Sequence, residues 1–409
     1  MFNKVATLSI FSLFAGTCLS ANSWNTLDGN PPRFAGHRGE KAFLPEHSFG
    51  SYHQAALESV DYIEPDLVLS KDGKLVVLHN EWLSDTTNVA NLTQFANRKR
   101  QYVFDGKFAK INRTDWWVFD FTVDELKTIK LRQAPEFAYR PQYYNNDFSI
   151  PTFEEYLDEV ESLTKILDRE FGIIPELKSP EVFNALFPSA NGRGFEDGLL
   201  EVLQRRGYTV NQPPPQRGSM KTKDLIDWVM NVKSANYQKP NYKLATIQSF
   251  DQDTCQYLAK TTKVPIVALD QSHPTYFTPK GIQNIATYAD TFSVGKDLLV
   301  AGPQAFFDLN NITYSKQEIE SMGGFLTPKQ IVAEAHKCGL KVCPYTLYDS
   351  RQSNGLLCSR VNDTRLAWCP KNRKEELYYF FDLGVDSLFV ENIFEAQMLR
   401  LAYNYELAL

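Results

Sequence analysis

Residues 62–80 read YIEPDLVLSKDGKLVVLHN, and the pattern of this stretch decides the fold class. The apolar run from Tyr62 to Leu69 carries Glu64 and Asp66 two residues apart. In an extended strand that spacing puts both side chains on one face. An Asp-Gly pair at Asp72 and Gly73 then turns the chain, and Leu75 to Leu78 forms a second apolar run. The two runs predict a hairpin that delivers His79 from an extra strand folded back beside the first. Carboxylates on an inward face are tolerated where a barrel opens to solvent at the C-terminal ends of its strands. Side by side they repel unless a cation compensates, and hard oxygen ligands suit one divalent ion, Ca²⁺ or Mg²⁺.

Working outward, short β-rich apolar runs alternate with amphipathic segments of helical length. Eight strands are expected near Phe34–Gly36, Tyr62–Asp66, Gly172–Glu176, Ala245–Ser249, Pro265–Leu269, Thr291–Val294, Val342–Thr346 and Ser387–Glu391. Strands and helices in that order predict an α/β fold, the (β/α)₈ TIM barrel, with helices outside a parallel sheet. The chain of 409 residues accommodates one barrel of about 250 residues plus insertions. The main insertion, 81–150, follows the early hairpin and is rich in aromatic and polar residues. It holds one clear helical signal, a capping box of Thr122 and Glu125. Its position predicts that it caps the catalytic mouth. The run QPPPQRGS, 212–219, reads as an exposed loop inside the barrel domain.

Glu176 and Lys178 in GIIPELKSP repeat the two-residue spacing at the end of the next main strand. Glu176 can complete a site of three carboxylates, and Lys178 offers a positive charge to an anionic substrate. His37 and Arg38 end the first strand, so both should meet His79 at the same mouth. Two imidazoles can divide proton transfer between base and acid. Arg38 can hold phosphate oxygens in a bidentate way. His47 and His53 need no such role: Ser48 is placed to cap the helix after PEHS, and both histidines read as structural.

These residues and their order resemble the glycerophosphodiester phosphodiesterases. The resemblance rests on HRG, PEHS, IEPDLVLSKDGKLVVLHN, TFEEYL, GIIPELKSP, IQSF, PYT and GVDSLFV, and it covers nearly everything from Arg33 onward. TTNVANLTQFANRKRQYVFDG and FDFTVDELKTIK resemble the larger bacterial periplasmic and plant secreted members. The resemblance implies that His37 and His79 form the acid–base pair. It makes Glu64, Asp66 and Glu176 ligands of one divalent cation, and Arg38 and Lys178 phosphate ligands. It implies a supporting role for Glu46, and Phe250 and Tyr345 as walls of the glycerol pocket. The substrate would be a small glycerophosphodiester such as glycerophosphocholine, cleaved to sn-glycerol 3-phosphate and an alcohol. Three departures bear on the pocket floor: Asn80 stands where Asp is common, Cys343 where His is frequent, and Val390 to Asn392 where Thr-Asp is usual. Within enzymes the alternative is a phospholipase D of the sphingomyelinase D type, whose ligands would cluster earlier in the chain. Outside them it is an idle barrel serving as a binding protein, although all seven expected site residues are present.

The formal charge of −6 gives no basic footprint for nucleic acid. Residues 1–21 carry Lys4 before an apolar run from Val5 to Leu19, shorter than the roughly 20 residues that span a bilayer. They read as a secretory signal, leaving 22–409 as one extracytoplasmic domain with no stable membrane insertion. Of the five cysteines then remaining, Cys358 and Cys369 flank a polar loop and are the expected disulfide, while Cys338 and Cys343 read as buried. Sequons at Asn91, Asn112, Asn311 and Asn362 are about as many as composition alone supplies.

Overall fold

Pro65 and Pro175 sit inside the second and third expected strands, and each breaks its strand in two. A proline has no N–H to give to a ladder, so regular pairing stops at Ile63 and Ile173 and resumes at Asp66 and Glu176. The carbonyls remain available. Glu176 N donates to Pro65 O at 2.9 Å and Gln248 N donates to Pro175 O at 2.9 Å, so the strands stay in register across the breaks.

The computed structural model describes residues 24–208, 243–349 and 370–408. In chain order its strands are β1 (Arg33–Gly36), β2 (Tyr62–Ile63), β3 (Asp66–Leu69), β4 (Leu75–Val77), β5 (Arg100–Asp105), β6 (Lys110–Asp115), β7 (Gly172–Ile173), β8 (Glu176–Leu177), β9 (Ile247–Ser249), β10 (Ile266–Asp270), β11 (Thr291–Gly295), β12 (Lys341–Tyr345) and β13 (Ser387–Val390). They form two parallel arrays, β13-β1-β2-β7 and β12-β11-β10-β9-β8-β3, with β4 antiparallel at the end of the second. Backbone bonds link the arrays at both junctions. Thr246 N donates to Ile173 O at 3.0 Å between β7 and the approach to β9, and Leu347 N donates to Phe389 O at 2.9 Å between the end of β12 and β13. With β2–β3 and β7–β8 each counted as one interrupted strand, these are the eight positions of a (β/α)₈ barrel.

Helices cover the outside. In α1 (Phe49–Leu57), Ser48 caps the first turn by accepting from Ser51 N. The insertion holds α2 (Val123–Thr128), whose capping box of Thr122 and Glu125 forms as expected. α3 (Phe153–Leu167) buries Phe153, Tyr156, Leu157, Val160 and Leu163, a spacing that turns one stripe inward. The main core lies between this helical layer and the strands, while Ala35, Val267, Cys343 and Phe389 from four strands form a smaller cluster with Ile174 from the break between β7 and β8. No helix among the described residues is long and apolar enough to cross a membrane.

The expected hairpin is present. Leu67 pairs with Val77 and Leu69 with Leu75, and Gly73 takes φ +68° in the turn, a conformation that costs glycine nothing. The insertion departs from expectation: besides α2 it contains an antiparallel hairpin, Arg100 opposite Asp115 through Asp105 opposite Lys110. Its strand β5 is exposed or half-exposed at every position, so the apolar alternation that marks a half-buried strand is missing from its sequence. Cys343 is buried in β12, whereas Cys338, expected to be buried, is only half-buried at a helix end. Cys358 and Cys369 lie outside the described residues, as do 1–23 and the loop at 212–219.

Candidate active site

The mouth is assembled by register. β1 and β13 pair Gly36 with Val390, and the next residue of each strand, His37 and Glu391, therefore emerges side by side. β3 and β8 pair Asp66 with Glu176. Glu64, Asp66 and Glu176 bring ligand oxygens within 4.8 Å of one another, all buried. A left-handed turn at Arg38, φ +61°, points its backbone N–H at Glu64 Oε2, 2.9 Å away. Glu64 Oε1 accepts from Gln248 Nε2 at 2.8 Å. Asp66 Oδ2 accepts from His47 Nε2 at 2.8 Å and faces Arg38 Nε at 3.3 Å. Its Oδ1 is buried without a hydrogen-bond partner.

This donor set fits a divalent cation. Burial, and then the charges of Asp66 and Glu176, push the Glu64 carboxyl well above its ordinary range. Burial likewise raises Glu176 to about 7 against the opposing pull of Lys178, whose Nζ donates to Glu176 Oε1 at 2.6 Å. For Asp66 burial is outweighed by Lys178, His79 and the His47 hydrogen bond, which hold it well below the usual carboxylate range. Three crowded carboxylates with one unused buried oxygen form an arrangement that a hard cation relieves.

Both expected imidazoles reach the same cavity of about 480 Å³, together with Arg38, Lys178 and Glu46. His79 Nδ1 lies 2.6 Å from Asn80 Oδ1. Burial, reinforced by Arg38, pushes His37 down to about 3, and burial with Arg38 and Lys178 pushes His79 well below its ordinary value. Both oxygens of Glu46 accept from Arg38 Nη1 at 3.0 Å, and Lys41 Nζ lies 3.1 Å away. Phe250 and Tyr345 line the cavity and meet edge to face at 5.6 Å. The insertion adds Trp82, Asp85, Thr86, Glu136 and Phe137 to the lining. A second cavity of similar volume opens at the other end of the strands, lined by Arg33, Lys243 and Lys341 among others. It contains neither the carboxylate cluster nor either imidazole, so the chemistry belongs to the first.

The structure brings all ten expected residues to one mouth. His47, expected to be structural, is fully buried and hydrogen-bonds Asp66 through Nε2 and Tyr52 OH through Nδ1, each at 2.8 Å. Its backbone, at φ +58°, turns the ring inward rather than toward the helix it precedes. His53 is exposed on α1, with Nδ1 3.6 Å from Glu159 Oε1. Sequence reasoning missed Gln248, Lys41, Asp85 and Glu391. The signal for Glu391 was present, since an acidic residue ends the last barrel strand, but it read as a departure rather than as a part.

Comparison with known proteins places this mouth in context. The glycerophosphoryl diester phosphodiesterase family model matches residues 37–188, which span His37 to Lys178. The glycerophosphodiester phosphodiesterase GDPD6 of Arabidopsis thaliana is 30% identical over 405 residues, covering 95% of this chain and 94% of its own. Among solved structures, one from Silicibacter pomeroyi assigned to the glycerophosphoryl diester phosphodiesterases superposes with a TM-score of 0.53 at 17% identity, covering 93% of this chain and 98% of that one. An Oleispira antarctica phosphodiesterase, solved in complex with the product sn-glycerol-3-phosphate, gives 0.50 at 15% identity, covering 91% and 98%. These two carry the fold. The near full-length identity to the plant enzyme carries the family, and the chain belongs to the glycerophosphodiester phosphodiesterases.

Proposed function

We propose that this phosphodiesterase cleaves small glycerophosphodiesters such as glycerophosphocholine by cation-dependent, two-histidine chemistry, releasing sn-glycerol 3-phosphate and an alcohol. The observation that carries the reading is that Glu64 and Glu176 line one cavity with His37 and His79, and that Asp66 lies against both carboxylates just beneath it. The three carboxylates would hold the ion, which when bound polarises the phosphoryl group as a Lewis acid. Arg38 and Lys178 offset charge that grows on the phosphoryl oxygens. Glu46 keeps Arg38 in place for that task. One imidazole takes the proton from the attacking oxygen at Nε2; the other, protonated on both nitrogens once the anionic diester is bound, gives its Nε2 proton to the departing alkoxide, so the proton count balances. His79 is set up to receive at Nε2, because its Nδ1–H is committed to Asn80 Oδ1. Asn80 Nδ2 in turn donates to Asp85 Oδ2 at 3.1 Å, which fixes the amide with its oxygen toward the ring. Phe250 and Tyr345 wall the glycerol side, and segment 81–150 closes the side of the leaving alcohol.

The test is product analysis on mature protein given glycerophosphocholine, with and without chelator. Glycerol 3-phosphate and choline should appear, should vanish on chelation, and should form about 1,000-fold more slowly in His37→Ala and His79→Ala. Turnover that survives chelation would end the cation reading, and turnover by either variant at the wild-type rate would end the histidine reading. The apolar N-terminus supports an extracytoplasmic location, which N-terminal sequencing of the native protein checks: an intact Met1 on the folded enzyme argues against it.

A further inference from the structure

His37 Nδ1 and Glu391 Oε1 are both buried without a hydrogen bond of ordinary geometry, and they face each other at 3.5 Å. Buried polar atoms in native proteins are almost always satisfied, and hydrogen bonds at a catalytic centre are often long before substrate binds. The rest of Glu391 is tightly held. Its Oε2 accepts from Arg140 Nη2 at 2.5 Å and from Asp349 N at 3.0 Å, and Lys41 Nζ stands 3.4 Å from Oε1. Although burial opposes ionisation, Lys41, His37 and Arg140 keep this carboxylate well below its ordinary range. Arg140 comes from the insertion and is itself fully enclosed: Nη1 donates to Lys41 O at 3.2 Å, and the guanidinium lies 3.9 Å from the centroid of the Phe137 ring.

We propose that Glu391, clamped by Arg140, is the positioning residue of His37: it accepts the Nδ1–H, fixes that tautomer and leaves Nε2 to the substrate. The insertion thereby takes part in the chemistry through the last barrel strand, besides forming a wall. This rests on the reading of His37 as an acid–base group, and the test separates the two. The carboxylate does not take the proton away; it orients the ring, so the balance of the reaction is unchanged.

The direct measurement is the ¹⁵N spectrum of histidine-labelled, cation-loaded wild-type protein, with the His37 signals identified by their loss in His37→Gln. A protonated Nδ1 and an unprotonated Nε2 are expected; the opposite tautomer overturns the proposal without any need for a Glu391 variant to fold. The second arm is a kinetic cycle of Glu391→Gln, His37→Ala and the double variant. Glu391→Gln should lower kcat about 100-fold with KM nearly unchanged, the lower end of what acid–base catalysis contributes. In the absence of His37 the same change should cost nothing further. A double variant slower than His37→Ala by that same factor would make Glu391 merely structural and overturn the proposal. Full activity of His37→Ala would instead remove the catalytic reading on which it rests. Arg140→Lys keeps the charge but loses the second donor to Lys41 O, and should shift His37 toward mixed tautomers; an unchanged spectrum would remove Arg140 from the clamp.

Discussion

Glu46 holds Arg38 with both carboxylate oxygens at 3.0 Å, and Arg38 in turn presents its backbone N–H to Glu64 at 2.9 Å. One residue thus joins Glu46 to the carboxylate cluster. Glu46→Gln keeps the shape and removes the charge. A charge-assisted hydrogen bond contributes about 1.5–3 kcal/mol, so KM for the diester should rise about tenfold or more, with a smaller loss in kcat. Steady-state kinetics decide it; an unchanged KM would show that Arg38 does not depend on Glu46.

Asn80 stands where a carboxylate is common, yet it ties His79 in one tautomer because Asp85 holds its amide. Asn80→Leu removes the acceptor at similar volume and should lower kcat at least about tenfold with little change in KM. Asn80→Asp should keep most of the activity. If the leucine variant matched wild type, the tautomer would be set elsewhere.

Cation binding should expel protons. With Glu176 raised to about 7 and Glu64 raised as well, the cation-free protein carries protons on this cluster below neutrality. A bound ion needs the ionised carboxylates, so affinity should weaken as pH falls below about 7. Calorimetric titration at pH 6 in two buffers of different ionisation enthalpy should give different apparent enthalpies. Identical values would mean that no proton leaves.

Gly39 follows the strained turn at Arg38 with φ +87°, and a Cβ there would stand 2.4 Å from Ser51 Oγ and 2.7 Å from a backbone carbon of α1. Both the conformation and the space exclude a side chain. Gly39→Ala should cost about 1–3 kcal/mol of stability, read from denaturant midpoints. Because the turn carries His37 and Arg38, activity should fall more than stability. A variant as stable as wild type would show that the turn relaxes.

Much of the barrel was legible along the chain. Eight apolar runs separated by helical segments lie where the strands form, because each strand must bury its faces whatever its neighbours are. The hairpin at Asp72 and Gly73 was legible for a local reason as well, since the turn chemistry stands in two adjacent residues. Glu64 with Asp66, and Glu176 with Lys178, announced themselves by breaking apolar strands at a two-residue spacing.

What the sequence by itself determined about this protein is therefore the set of elements and the residues too polar for the strands that carry them. Only the tertiary structure decided their partners. Arg140 and Glu391 stand 251 residues apart and Gln248 lies 184 from Glu64, so no local pattern could pair them. The pairing follows from which strands become neighbours when the sheet curls into a barrel, and from a backbone register that sets His37 beside Glu391. The inward turn of His47 and the hairpin of the insertion were decided in the same way. In each case long-range contacts selected among conformations that the local sequence allowed.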